Sequence, residues 1–90
     1  MPTKHLLITG KVQGVFYRAA AKEIAGDLQI TGWIRNTLKG KVEAVVSGTE
    51  ANMEKFISWC HHGPSHAQVT SVNVTESPEE EFLSFSVKRG

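Results

Sequence analysis

Residues 5–28 read HLLITGKVQGVFYRAAAKEIAGDL, and their hydrophobic period changes partway along. Leu6 and Ile8 alternate with Leu7 and Thr9 in a run from His5 to Lys11 rich in branched apolar residues, the pattern of a buried strand. From Tyr17 the apolar positions fall three or four apart instead, at Tyr17, Ala20, Ala21, Ile24, Ala25 and Leu28, with Lys22, Glu23 and Asp27 on the other side. That spacing predicts an amphipathic helix. The joint between the two is GKVQGVFYR, Gly10 to Arg18, which holds two glycines and an arginine and meets no acidic residue before Glu23.

The same patterning extends outward along the chain. Ile30, Gly32 and Ile34 alternate with Thr31, Trp33 and Arg35; Asn36-Thr37-Leu38-Lys39-Gly40 supplies turn residues; Val42, Ala44 and Val46 then alternate again, which predicts a hairpin. Ser47 and Glu50 stand at capping-box spacing ahead of a helical stripe of Met53, Phe56, Ile57 and Cys60 that stops before Gly63-Pro64. Val69 has odd parity while Val72 and Val74 have even parity, so the following strand carries an irregularity near Ser71. Ser77-Pro78-Glu79-Glu80-Glu81 reads as a solvated turn, and Leu83, Phe85 and Val87 share one face of a last short strand. The expected order is βαββαβ plus a C-terminal strand. This order favours a ferredoxin-like α/β sandwich, a mostly antiparallel sheet covered on one face by two helices.

Ninety residues suffice for one domain, expected over 1–90, with an ordinary hydrophobic content of 40%. Ten Lys and Arg against nine Asp and Glu leave a net charge of +1, too balanced for a general nucleic-acid or anionic-membrane surface, so an anion site has to be local. One cysteine, Cys60, allows no intrachain disulfide, and MPTKHLLITG lacks the apolar core of a signal peptide. The expectation is a cytoplasmic monomer without nucleic-acid or membrane partners.

A strand-to-helix junction gathers backbone N–H groups that the helix cannot satisfy, at the positive end of its dipole. Gly10 and Gly14 permit a tight or concave backbone there, and the guanidinium of Arg18 can grip two phosphoryl oxygens at once. On this local pattern alone, a plain turn with Arg18 facing water explains the residues equally well. Neither G-x-x-x-x-G-K-[ST] nor G-x-G-x-x-G occurs, which disfavours nucleotide-binding loops.

GKVQGVFYR over residues 10–18 resembles the first signature of the acylphosphatase family, and GWIRNTLKGKV over residues 32–42, followed by Gly48, resembles its second. Order and spacing agree, and Phe85-Ser86-Val87 is similar to the closing strand, so the resemblance spans nearly the whole chain. Tyr17 stands where the family usually has Phe or Met, and Ile34 where Val, Ala or Cys is usual. The resemblance implies an enzyme that hydrolyses the carboxyl–phosphate bond of a small-molecule acyl phosphate without metal or other cofactor. It implies Arg18 as the phosphate-binding arginine and Asn36 as the residue that positions water. The phosphate cradle would be the backbone of Gln13, Gly14, Val15, Phe16 and Tyr17, where phosphate or sulfate is an expected occupant. A non-catalytic anion-binding module on the same fold is the alternative.

Other residues invite chemistry less well. The arginine slot of a C-x₅-R phosphatase loop starting at Cys60 holds His66, and Cys60 belongs to the apolar stripe, so a core thiol is expected. Cys60, His61, His62 and His66 lack paired metal-ligand spacing, and the two adjacent histidines suit the negative end of a helix. Trp33 and Trp59 read as packing residues.

Overall fold

The computed structural model describes residues 1–89; Gly90, the last residue of the expected domain, lies outside the described residues. Its elements are β1 (Thr3–Lys11), α1 (Tyr17–Asp27), β2 (Thr31–Asn36), β3 (Val42–Ser47), α2 (Glu50–Cys60), β4 (Gln68–Ser77) and β5 (Phe85–Lys88). The strands lie in the order β4-β1-β3-β2-β5, antiparallel throughout except for the parallel pair β2 and β5. The expected ferredoxin-like sandwich with an added C-terminal strand is thus the fold observed.

Strand alternation sends every second side chain to one face of the sheet. Leu6 and Ile8 of β1, Ile34 of β2, and Val42, Ala44 and Val46 of β3 are all fully buried. Opposite them lie Tyr17, Ala21 and Ala25 of α1 and Met53, Phe56 and Cys60 of α2, the centres of the two predicted helical stripes. Ile24, Leu28 and Ile57 flank this core half-buried. Both helices therefore cover the same face, and the joint after β1 opens at one end of the sheet beside β2 and β5.

Three local expectations change. The second helix is capped by Thr49, whose side chain accepts a hydrogen bond from the Asn52 amide at 3.2 Å. Ser47 instead ends β3, buried, where its hydroxyl accepts from Thr3 Oγ1 at 3.4 Å. The capping-box spacing misled because Gly48 and Thr49 intervene before the helix begins, and Thr49 has the shorter reach to the free amides. Leu83 is not part of the last strand: β5 starts at Phe85, and Leu83 is fully exposed. The irregularity near Ser71 is present, as Thr9 pairs with Ser71 but Gly10 pairs with Val69, leaving Thr70 as the extra residue. That insertion brings Val69 and Val72 onto the core side together, which accounts for their opposite parity.

Gly10 belongs to this bulge and not to an anion nest. Its φ is +132°, and a Cβ there would lie 2.1 Å from the Gln68 carbonyl oxygen, so the close approach of β4 demands a glycine.

On the uncovered face, Glu43 of β3 bridges its two neighbouring strands. Its carboxylate receives Arg35 Nε and lies against His5 Nε2, each at 2.6 Å. The His5 hydrogen bond, followed by that of Arg35, holds the Glu43 carboxyl below its ordinary value, against the opposing effect of burial. A carboxyl lowered on folding stabilises the folded state fully above its unfolded pKa of about 4.3, and that contribution disappears as pH falls through the lower folded value. Glu43→Gln should therefore reduce stability near neutral pH and flatten the loss of stability on acidification below about pH 4. Denaturant unfolding across pH 2–7 checks this; parallel acid limbs for the two proteins would contradict it.

Candidate active site

The segment between β1 and α1 enters the helix without a conventional cap. Phe16 occupies the N-cap position in the left-handed region, φ 65° and ψ 23°, and no side chain caps the helix. For a bulky aromatic residue this backbone costs about 1–2 kcal/mol relative to the right-handed region. Gly14, at φ +73°, makes the preceding reversal, and a Cβ on it would meet nothing within 4 Å. The amides of Gly14 through Ala19 have no hydrogen-bond acceptor among the described residues outside the helix itself, and the first turn contains no acidic side chain. A run of such donors at a helix N-terminus is chemically suited to a tetrahedral anion.

Arg18, in the first turn of α1, and Asn36, the last residue of β2, line one cavity of about 460 Å³. Val12, Gly14, Phe16, Tyr17, Ala19 and Val87 complete its wall, so no carboxylate borders it. Of the expected cradle, Gly14, Phe16 and Tyr17 line this cavity; Val15 is buried in the core, and Gln13 is turned away to another task. Arg18 Nη1 donates to the Lys88 carbonyl oxygen of β5 at 3.4 Å, a long bond that leaves most of the guanidinium donors available.

The carboxamide of Asn36 is free for a specific reason. Thr37, and not Asn36, closes the turn that follows: Thr37 Oγ1 accepts from the Lys41 amide at 3.1 Å and the Lys39 amide at 3.3 Å. Asn36 Oδ1 is buried without a donor among the described residues. A buried carbonyl oxygen left in this state is costly unless water or a ligand bonds to it.

Gln13 joins the two halves of the site. Its Nε2 donates to the carbonyl oxygens of Thr37 and Lys41, both at 2.9 Å, tying the glycine-rich joint to the hairpin loop that follows Asn36. At the base of the cradle, Tyr17 is buried and its hydroxyl donates to the Cys60 carbonyl oxygen at 2.7 Å, which pins the start of α1 to the end of α2. Burial, reinforced by the adjoining Cys60, pushes the Tyr17 phenol far above its ordinary value, so it remains protonated. Burial also pushes the Cys60 thiol up to about 12, consistent with the core role expected for it.

Sequence reasoning missed the side-chain tie made by Gln13, the turn closure by Thr37, and the contribution of β5. Only Thr37, a hydroxyl residue four positions before a loop amide, carries a sequence signal for its role. His62 Nδ1 lies 3.0 Å from the Ser58 carbonyl oxygen near the end of α2, in keeping with the reading of the histidines. Trp59 stacks obliquely on Tyr17 at 5.3 Å between centroids, and Trp33 lies on the open face with Lys88 Nζ 4.3 Å above its ring.

An acylphosphatase family model matches residues 4–87 of this chain. An acylphosphatase of Roseiflexus sp. (strain RS-1) is 44% identical over 88 residues, covering 97% of this chain and 95% of that protein. One from Marinobacter nauticus is 45% identical, covering 90% and 89% respectively. The fold is similar to the crystal structure of acylphosphatase from Bacillus subtilis, with a TM-score of 0.94 and 30% identity over 98% of this chain and 99% of that one.

Gln13→Ala removes two hydrogen bonds to loop carbonyls that each keep a backbone donor, and should lower stability by about 1–3 kcal/mol. Denaturant unfolding measures this, and an unchanged midpoint would mean that the tie carries no load.

Proposed function

We propose that this chain, which belongs to the acylphosphatase family, binds the phosphoryl group of its substrate with Arg18 and the amides of Gln13 to Tyr17, and attacks it with a water held by Asn36. As an acylphosphatase it hydrolyses the carboxyl–phosphate bond, releasing a carboxylate and inorganic phosphate. The division of roles rests above all on one observation: Arg18 and Asn36 border the same cavity, and the Asn36 oxygen lacks a protein donor.

The leaving group explains why such a sparse site is enough. A carboxylate whose conjugate acid has a pKa of about 4 departs without being protonated, whereas a phosphate monoester would expel an alkoxide and call for a general acid. What the protein has to supply is alignment and stabilisation of charge on the three equatorial oxygens. The amides at the start of α1 and the guanidinium of Arg18 do this, with the helix dipole adding to the field. Lys at position 18 would offer one point charge without the planar fork.

Water accepts its orientation from Asn36, donating a hydrogen bond to Oδ1. The new bond forms between the water oxygen and phosphorus as the bond to the acyl oxygen breaks in line, and the carboxylate leaves with the bonding pair. A carboxamide is too weak a base to take the water proton, so a phosphoryl oxygen of the substrate receives it. No step requires a metal or an organic cofactor. The chain acts as one domain over residues 1–90, as a monomer in the cytoplasm. No helix among the described residues is long and apolar enough to cross a membrane.

The decisive experiment measures phosphate release from acetyl phosphate and from a phosphate monoester, with chelator present, alongside inhibition by inorganic phosphate. Asn36→Ala should lower kcat about 10²–10³-fold, the scale of losing one precisely placed polar group, while phosphate inhibition stays within about threefold. Arg18→Gln should weaken phosphate inhibition and turnover together. Phosphate binding without release in the unaltered protein would favour a binding module, and small, equal effects in both variants would reject these roles. Sedimentation should give a single species near 9.9 kDa.

A further inference from the structure

We propose that the Phe16 side chain forms the wall of the cavity against which the acyl group lies, and so selects acyl phosphates whose acyl group is aromatic or bulky and apolar. This rests on the placement of the phosphoryl group at the start of α1.

Phe16 is an anomaly that the cradle alone does not explain. Presenting amides from a left-handed N-cap is a backbone task, and Gly or Asn would adopt φ 65° with less strain. The ring gains little from the core in compensation, being 80% exposed, while its neighbours Val15 and Tyr17 are buried. A strained residue holding a large apolar group in solvent, beside the arginine of the site, points to a task for the ring itself.

The cavity supports that task. Its volume of about 460 Å³ lies within the range of sites that enclose an entire small organic molecule, and so leaves room beyond a phosphoryl group. Val12, Ala19 and Val87 border it together with Phe16, and the polar side chains of the wall are those of Arg18, Asn36 and Tyr17. The Tyr17 hydroxyl is already engaged with Cys60. An acyl phosphate seated with its phosphoryl group on the amides and its attacked face toward Asn36 therefore has apolar wall left for the remainder. An aromatic acyl group can stack or meet edge-on with the Phe16 ring; a methyl group cannot.

The test is the ratio of kcat/KM for benzoyl phosphate to that for acetyl phosphate, measured in the unaltered protein, Phe16→Asn, Phe16→Leu and Phe16→Tyr. Asn tolerates the left-handed backbone, Leu keeps apolar bulk without a ring, and Tyr restores the ring. In the unaltered protein the ratio should favour benzoyl phosphate. It should fall about five- to tenfold in Phe16→Asn, fall less in Phe16→Leu, and return toward the original in Phe16→Tyr, with the change carried by KM. Inhibition by inorganic phosphate reports the cradle in each variant separately. A ratio that stays within twofold across the series overturns the proposal, as does a loss for both substrates in parallel with phosphate affinity, which would make the residue a backbone element only. Arg18→Gln distinguishes the underlying placement: wild-type turnover of both substrates in that variant would refute the site itself.

Discussion

Both protons of one carboxamide, Gln13 Nε2, hold the site's two halves in register. The groups suited to an anion arise where β1 gives way to α1, and the group suited to water arises at the end of β2, 23 residues after Gln13 in a different part of the sheet. Sheet pairing sets their coarse separation, because β3 lies between β1 and β2. Loops at a sheet end are ordinarily the looser part of a fold. The bonds from Gln13 to Thr37 and Lys41 remove that slack by tying one loop's side chain to the other loop's backbone. The proposed in-line displacement tolerates little misalignment, so under that proposal such bracing bears directly on rate.

The electrostatic character of the site is likewise a matter of local arrangement. The chain as a whole is nearly neutral, yet the cavity is bordered by a guanidinium and by no carboxylate. Acidic side chains appear elsewhere: Glu43 is engaged on the open face of the sheet, and Glu79 to Glu81 lie between β4 and β5. A local field of this kind favours an anion without making the whole surface attract every polyanion. Tyr17 serves the same end differently. Anchored through Cys60 at its hydroxyl, it fixes the first turn of α1, from which Arg18 and the free amides project.

Much of this was legible in the residues because hydrophobic period is a backbone property written into side chains. The switch from alternation at Leu6 and Ile8 to helical spacing at Tyr17, Ala21 and Ala25 marked the joint to within a few residues, and the parity break between Val69 and Val72 marked the bulge. The family resemblance implies roles for Arg18 and Asn36, and the structure brings these two residues to one cavity. Contacts between side chains and distant backbone were not legible. Nothing in the type or spacing of Gln13 says that its protons will reach Thr37 and Lys41, since that contact exists only after two loops meet. Gly10 shows the converse: it sits beside a phosphate-binding pattern, while the backbone of β4 is what requires it. Ser47 shows how a local motif fails when strand pairing claims the residue first.

The strand order has a consequence for how the protein comes into being. β1 pairs with β4 from Thr3 with Ser77 through Lys11 with Gln68, so β1 waits for a strand that the ribosome delivers much later. β5, which brings Val87 to the cavity and a carbonyl to Arg18, comes later still. Closing such distant loops is entropically slow, and until it happens β1 has one exposed edge, the one opposite β3. A nascent chain therefore passes through an interval in which β1 is available to wrong partners, and the cavity between Arg18 and Asn36 is among the last parts to take shape.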